Sequence, residues 1–179
     1  MNLSAKNGNT ALHVAAVNGQ LETLRALIDS GANVNAANDE GQTPIHDASI
    51  NGRYAISSLS LSLSLSPSSL SLSLSLSLSL SLFAYIVISS RNDCIELLLQ
   101  RGADVDFRTK GRDWTPVHYA SHNAHRRALE ILLARGANIN HQDTQGNTPL
   151  HEVARNGSAQ CLVKLPTAQH DARIILFSL

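Results

Sequence analysis

His118, His122 and His125 are the residues whose type and spacing first suggest chemistry, because imidazoles three or four positions apart share a helix face and can grip a divalent metal. Two carboxylates, Asp47 and Glu152, are the other candidates, as a general acid and a general base. Context argues against both readings. His118 closes the phrase Thr115-Pro116-Val117-His118, which recurs as Thr10-Ala11-Leu12-His13, Thr43-Pro44-Ile45-His46 and Thr148-Pro149-Leu150-His151. A histidine present in every copy of a phrase serves the phrase, and His125 falls in the loop beyond. Asp47 and Glu152 each follow that histidine, two repeats apart, and read as members of a ring of surface positions. No nucleophile motif, phosphate-cradling glycine loop or cysteine-rich metal spacing appears, so the chain is expected not to be an enzyme and to carry no cofactor or metal.

The elements that position these residues follow from the phrase itself. Threonine before proline starts a helix: the hydroxyl accepts an orphan backbone N–H, and proline at the first helical position has its φ preset. A second helix follows each start, with Leu21, Leu24, Leu27 and Ile28 in the first repeat and Leu129, Ile131, Leu132 and Leu133 in the third. Gly31, Gly102 and Gly136 supply the left-handed residue that ends it. The first two threonines of the phrase are 33 residues apart and so are the last two, whereas Thr43 and Thr115 are separated by 72. Two short amphipathic helices cannot bury their apolar faces alone, so such units must stack.

The chain resembles the ankyrin repeat family. The resemblance rests on the four Thr-Pro-Leu-His-like phrases and on Gly31-Ala32-Asn33-Val34-Asn35, Gly102-Ala103-Asp104-Val105-Asp106 and Gly136-Ala137-Asn138-Ile139-Asn140. It implies an all-α ankyrin-type helical solenoid, with helix-turn-helix repeats joined by short β-hairpin loops. It also implies that the recurring histidine hydrogen-bonds the threonine and nearby backbone. Residues 1–52 hold repeat one and half of repeat two, 53–90 an insertion, 91–165 the remaining repeats, and 166–179 an atypical tail. The chain begins inside a repeat, so repeat one either serves as the cap or is cut from something longer. Repeat four should fail in its second helix at Pro166.

Composition fits that fold. Hydrophobic residues make up 43% of the 179 positions and aromatics only 4%, which suits close-packed Leu and Ala helices. Lysine plus arginine (14) balances aspartate plus glutamate (14), so nothing global draws nucleic acid or an acidic membrane. Cys94 and Cys161 occupy one register position two repeats apart, beyond the ~7 Å Cα reach of a disulfide when helices lie ~8–10 Å apart. Free thiols point to a reducing compartment, and Met1-Asn2-Leu3-Ser4-Ala5-Lys6 does not open like a secretory signal. A cytoplasmic protein is expected, with the nucleus open to it.

Residues 59–82 are nearly pure Leu-Ser alternation, broken at Ser66-Pro67-Ser68-Ser69, with 11 leucines and no charge between Arg53 and Arg91. Period two reads as strand with a turn at the proline, and as an aggregation hazard. A membrane span over 59–88 is the rival, opposed by serine at every second place. A thymine-cytosine dinucleotide repeat would encode the same alternation, which makes residues 53–90 a candidate translated intron.

The resemblance assigns recognition to the hairpin tips and first helices, which line a concave face. The contacts it implies are Asp39, Glu40, Asp47, Arg112, Trp114, Tyr119, His122, Glu152 and Arg155, with another protein as partner. Trp114 and Tyr119 stand out because aromatics are enriched among binding hot spots. Asn35 and Asn140, each eight residues after a leucine, match the family's setting for asparagine hydroxylation. Alternatives from other classes are a membrane-anchored protein and a regulatory segment of a larger enzyme.

Overall fold

The computed structural model describes residues 4–50 and 91–157. Helices come in pairs. Repeat one supplies α1 (Ala11–Val17) and α2 (Leu21–Asp29), and repeat two supplies α3 (Pro44–Ser49) and α4, helical over the described residues 91–100. Repeat three supplies α5 (Pro116–His122) and α6 (Arg126–Ala134), and repeat four opens with α7 (Pro149–Arg155). Residues 53–90, Cys161, Pro166 and the tail lie outside the described residues, as does the expected failure of repeat four.

Each first helix begins at its threonine, with extended backbone at Thr10, Thr43, Thr115 and Thr148. The cap is reciprocal: the threonine side chain meets the backbone N–H of the histidine three residues on, and that imidazole reaches back to the threonine N–H. Histidine thus takes the role that Glu or Gln plays in the usual capping box. Second helices end alike. Ala32, Ala103 and Ala137 donate to the carbonyls of Leu27, Leu98 and Leu132 at 3.0, 2.9 and 3.1 Å, past Gly31, Gly102 and Gly136 at φ 88°, 85° and 89°. This is the two-bond helix stop that requires a left-handed residue.

First helices pack in sequence, α1 on α3, α3 on α5 and α5 on α7. Ala15, Ala16, Ala48 and Ala120 are buried among them, and these small side chains let the axes approach. Second helices contribute Leu24, Ile95, Leu98 and Leu132, all fully buried in a core that runs on through Leu12, Ile45, Val117 and Val153. Each such leucine or isoleucine stabilises the stack by roughly 1.5–3 kcal/mol.

The loops are tighter than two-stranded hairpins. Among the described residues the only β pairing is an isolated antiparallel bridge between Ser4 and Thr10. Single cross-loop bonds close the others: Asn38 N to Gln42 O and Asp143 N to Asn147 O, both 2.8 Å, and Thr109 N to Trp114 O at 2.9 Å. The extra residue in the third loop is accommodated by Asp113 at φ 56°. Tips then bond to their neighbours, Asp39 N to Asn7 O (3.3 Å), Lys110 N to Glu40 O (2.8 Å) and Thr144 N to Arg112 O (3.1 Å). Such contact needs bare backbone at Gly41, where a Cβ would lie 2.6 Å from Lys110 N.

Among the described residues no helix is long and apolar enough to cross a membrane.

Candidate protein-interaction face

The recurring histidines tie one repeat to the next. Nδ1 of His46 accepts from Thr43 N at 3.1 Å and lies 2.8 Å from Thr43 Oγ1, so the ring proton sits on Nε2. That Nε2–H points at the carbonyls of Phe107 and Trp114, 3.1 and 3.3 Å away in repeat three. His13 reaches Gln42 O at 3.0 Å and His118 reaches Asn147 O at 3.3 Å in the same way. Burial holds all three imidazoles below their ordinary pKa, His46 down to about 4. His151 keeps the Thr148 bonds (3.1 and 2.8 Å) and is exposed.

Two of the three metal candidates are already engaged. His118 is committed at both nitrogens, and His122 Nδ1 lies 2.9 Å from Glu152 Oε2. His125 is buried at the start of α6, where burial, with Arg91 nearby, pushes its pKa to about 4. Among the described residues no three histidine, cysteine or acidic side chains are placed to share an ion. Burial pushes the Cys94 thiol up to about 12, which leaves it unreactive.

The expected contacts divide by exposure. Asp39, Glu40, Arg112, His122 and Arg155 are exposed on the tips and first helices, and Tyr119 is half-buried between them. Trp114 is only 5% exposed. Its ring stacks against His118 (6.2 Å between centroids), meets Tyr119 edge-on (5.1 Å) and carries the Arg112 guanidinium over it, 5.1 Å from the ring centroid. Its Nε1 donates to Asp143 Oδ2 at 3.2 Å, joining the tips of repeats three and four.

Asp47 and Glu152 are not surface positions, which corrects the ring read from their shared register. Glu152 is fully buried because two side chains close over it, His122 from the repeat before and Arg155 from its own helix, the latter with Nη1 2.7 Å from Oε1. Asp47 is 7% exposed and, among the described residues, forms no ion pair; burial first, then the Glu40 charge, raises its pKa to about 7.

Two participants went unrecognised in the sequence. Gln42 Nε2 donates to the Tyr119 hydroxyl at 3.0 Å, and Asp143 anchors Trp114. Both partners lie in the neighbouring repeat, so only a register alignment of the repeats could have pointed to them.

The threonine–histidine caps, the glycine stops and the stacked helix pairs converge with the comparison to known families. A family of ankyrin repeats (3 copies) matches residues 1–61 and 82–173. The chain belongs to the ankyrin repeat family. Its ankyrin units are 35% identical over 158 residues to Rabankyrin-5 of Mus musculus, covering 86% of this chain and 13% of that protein. Inversin of Gallus gallus is 30% identical over 155 residues, covering 86% of this chain and 10% of that protein. The Nuclear factor NF-kappa-B p105 subunit of Gallus gallus is 30% identical over 166 residues, covering 92% and 17%. This chain therefore spans well under a fifth of each of these relatives. Ankyrin repeats are generally protein-interaction modules.

Proposed function

We propose that this chain works as a scaffold or adaptor, binding another protein through the concave face formed by its tips and first helices. Asp39, Glu40, Arg112, Tyr119, His122 and Arg155 make the contacts, Trp114 and Glu152 hold them in position, and Asp47 lies buried beneath them. The carrying observation is that the frame beneath repeats, with the same caps and tip bonds, while the exposed side chains on it change from unit to unit. Acidic groups stand at repeat two (Asp39, Glu40) and basic ones at repeats three and four (Arg112, Arg155). The fitting partner presents basic groups to the first and acidic groups to the second, an arrangement that sets orientation and on-rate. No catalytic step belongs to this reading. A buried, unpaired Cys94 suits the reducing cytoplasm or nucleus.

The test is affinity capture from cells with the full chain, quantified by mass spectrometry, against Tyr119→Ala and the double variant Arg112→Ala/Arg155→Ala. Circular dichroism checks that the variants fold. A specific partner should be lost from both, with Tyr119→Ala weakening it about thirtyfold, the equivalent of ~2 kcal/mol. A folded pair of variants that retains every partner of the parent chain would remove this face from consideration.

A further inference from the structure

Ile50 and Arg91 lie 41 positions apart in sequence, yet Arg91 Nη1 donates to Ile50 O at 3.4 Å. The corresponding residues in repeats one and three, Val17 with Gln20 and His122 with His125, are three positions apart. Arg91 sits as His125 does, buried where a second helix opens (7% and 4% exposed). Cys94, Ile95 and Leu98 then fill the core places that Ala128, Leu129 and Leu132 fill one repeat later. The frame around the junction is that of an ordinary repeat, and Asn51-Gly52 matches the link Asn18-Gly19 of repeat one. The family match also leaves out residues 62–81 and resumes beyond them.

We infer that residues 53–90 are the translation of an unspliced intron, and that the working protein is the joined chain in which Asn51-Gly52-Arg runs directly into Asn92. A thymine-cytosine dinucleotide repeat reads CTC and TCT in every forward frame, so it yields leucine and serine alternately without any selection for a protein strand. The borders have the right letters. Arg53-Tyr54 can be encoded AG-GTA-Y, an exon ending in AG before an intron beginning GTA. Ser90-Arg91 can end a pyrimidine-rich intron with the AG of an arginine codon. Joining the first AG to the last base of the Arg91 codon regenerates arginine. From Gly31 to Gly102 the chain runs 71 positions where the repeat period is 33, an excess of 38, and the excised codons number 38. The joined chain, 179 less 38, has 141 residues; its glycine stops at the end of repeats one and two fall 33 apart, and its threonine starts of repeats two and three fall 34 apart because the third loop is one residue longer.

Sequencing messenger RNA across codons 50 to 95, in cells that make the protein, should return the joined sequence as the dominant species. A dominant species carrying the Leu-Ser codons overturns the inference. A second measurement is independent of expression: the full chain and the joined chain are purified and unfolded by heat. Shortening the connection lowers the entropy of loop closure, so the joined chain should unfold at a higher temperature. An equal or lower midpoint would show that residues 53–90 contribute to the native fold, and the inference would fail.

Discussion

Asp47 and Glu152 occupy the same slot, one residue after the capping histidine, and meet opposite electrostatic fates. Glu152 is gripped by His122 and Arg155. The positions that correspond to these two around Asp47 hold Val17 and Ile50, so neither supplies a counter-charge, and burial raises its pKa to about 7. An identical backbone position can therefore be neutral-seeking in one repeat and ion-paired in another. The register partner one repeat earlier and the residue three places on decide which.

The largest test compares an interior capping histidine with the last one described. His46 is fully buried with both ring nitrogens engaged, whereas His151 is exposed. His46→Ala should lower stability by ~2–4 kcal/mol, since it removes a cap and leaves buried donors and acceptors unmet. His151→Ala should cost no more than ~1 kcal/mol. Urea titrations of both variants decide it, and equal losses would mean that the link between repeats adds nothing.

Asp47→Asn sharpens the comparison of the two slots. The folded carboxyl titrates near 7 and the unfolded one near 3.8, so the native state holds the proton more tightly. Its unfavourable effect is absent below the unfolded value, grows between the two, and is fully present above about 7. His46 and His125 work in the opposite sense: with folded values near 4 against 6.5, they lose stability as pH falls through that window. Subtracting the variant from the parent isolates the aspartate. Asp47→Asn should stabilise by on the order of 2 kcal/mol at pH 8 and leave the pH 3 midpoint unchanged. A difference that does not depend on pH would contradict the assignment.

In the other slot, Arg155→Ala removes one partner of a buried carboxylate and leaves His122 as the other. Arg155 is more than half exposed, so a loss of ~1–2 kcal/mol is expected, measured in the same titration. A variant as stable as the parent would show that His122 alone suffices. The smallest effect is a gain. Ala124 sits at φ 55°, where Gly19 and Gly157 stand at 68° and 63° in their repeats. Ala124→Gly should raise stability by ~0.5–1 kcal/mol, the left-handed penalty less the added freedom of the unfolded chain. A lower midpoint would place the strain elsewhere.

The sequence made legible whatever recurs within one repeat. Thr-Pro starts, glycine stops and the leucine spacing of the second helices are local rules, and each is satisfied by atoms a few residues away. What it hid depends on the next repeat. Trp114 stands out in the sequence as a hot-spot aromatic, yet besides Arg112, His118 and His122 of its own repeat it is held by Asp143, 29 residues on. The burial of Glu152 likewise needs His122, 30 residues earlier. The resemblance implies β-hairpin loops, but a lone cross-loop bond such as Asn38 N to Gln42 O is too little for a ladder.

The imidazole bonds all run one way, from a repeat to the one that follows it, which gives the array a polarity. Among the described residues the acceptor register opens at the carbonyl of Asn9, in line with Gln42 and Asn147, and the last capping imidazole is that of His151. The two faces of any one unit are therefore complementary, like the unlike ends of a monomer. A unit copied onto either side therefore meets the bonding group it needs, and gene duplication can lengthen such an array without inventing a new interface.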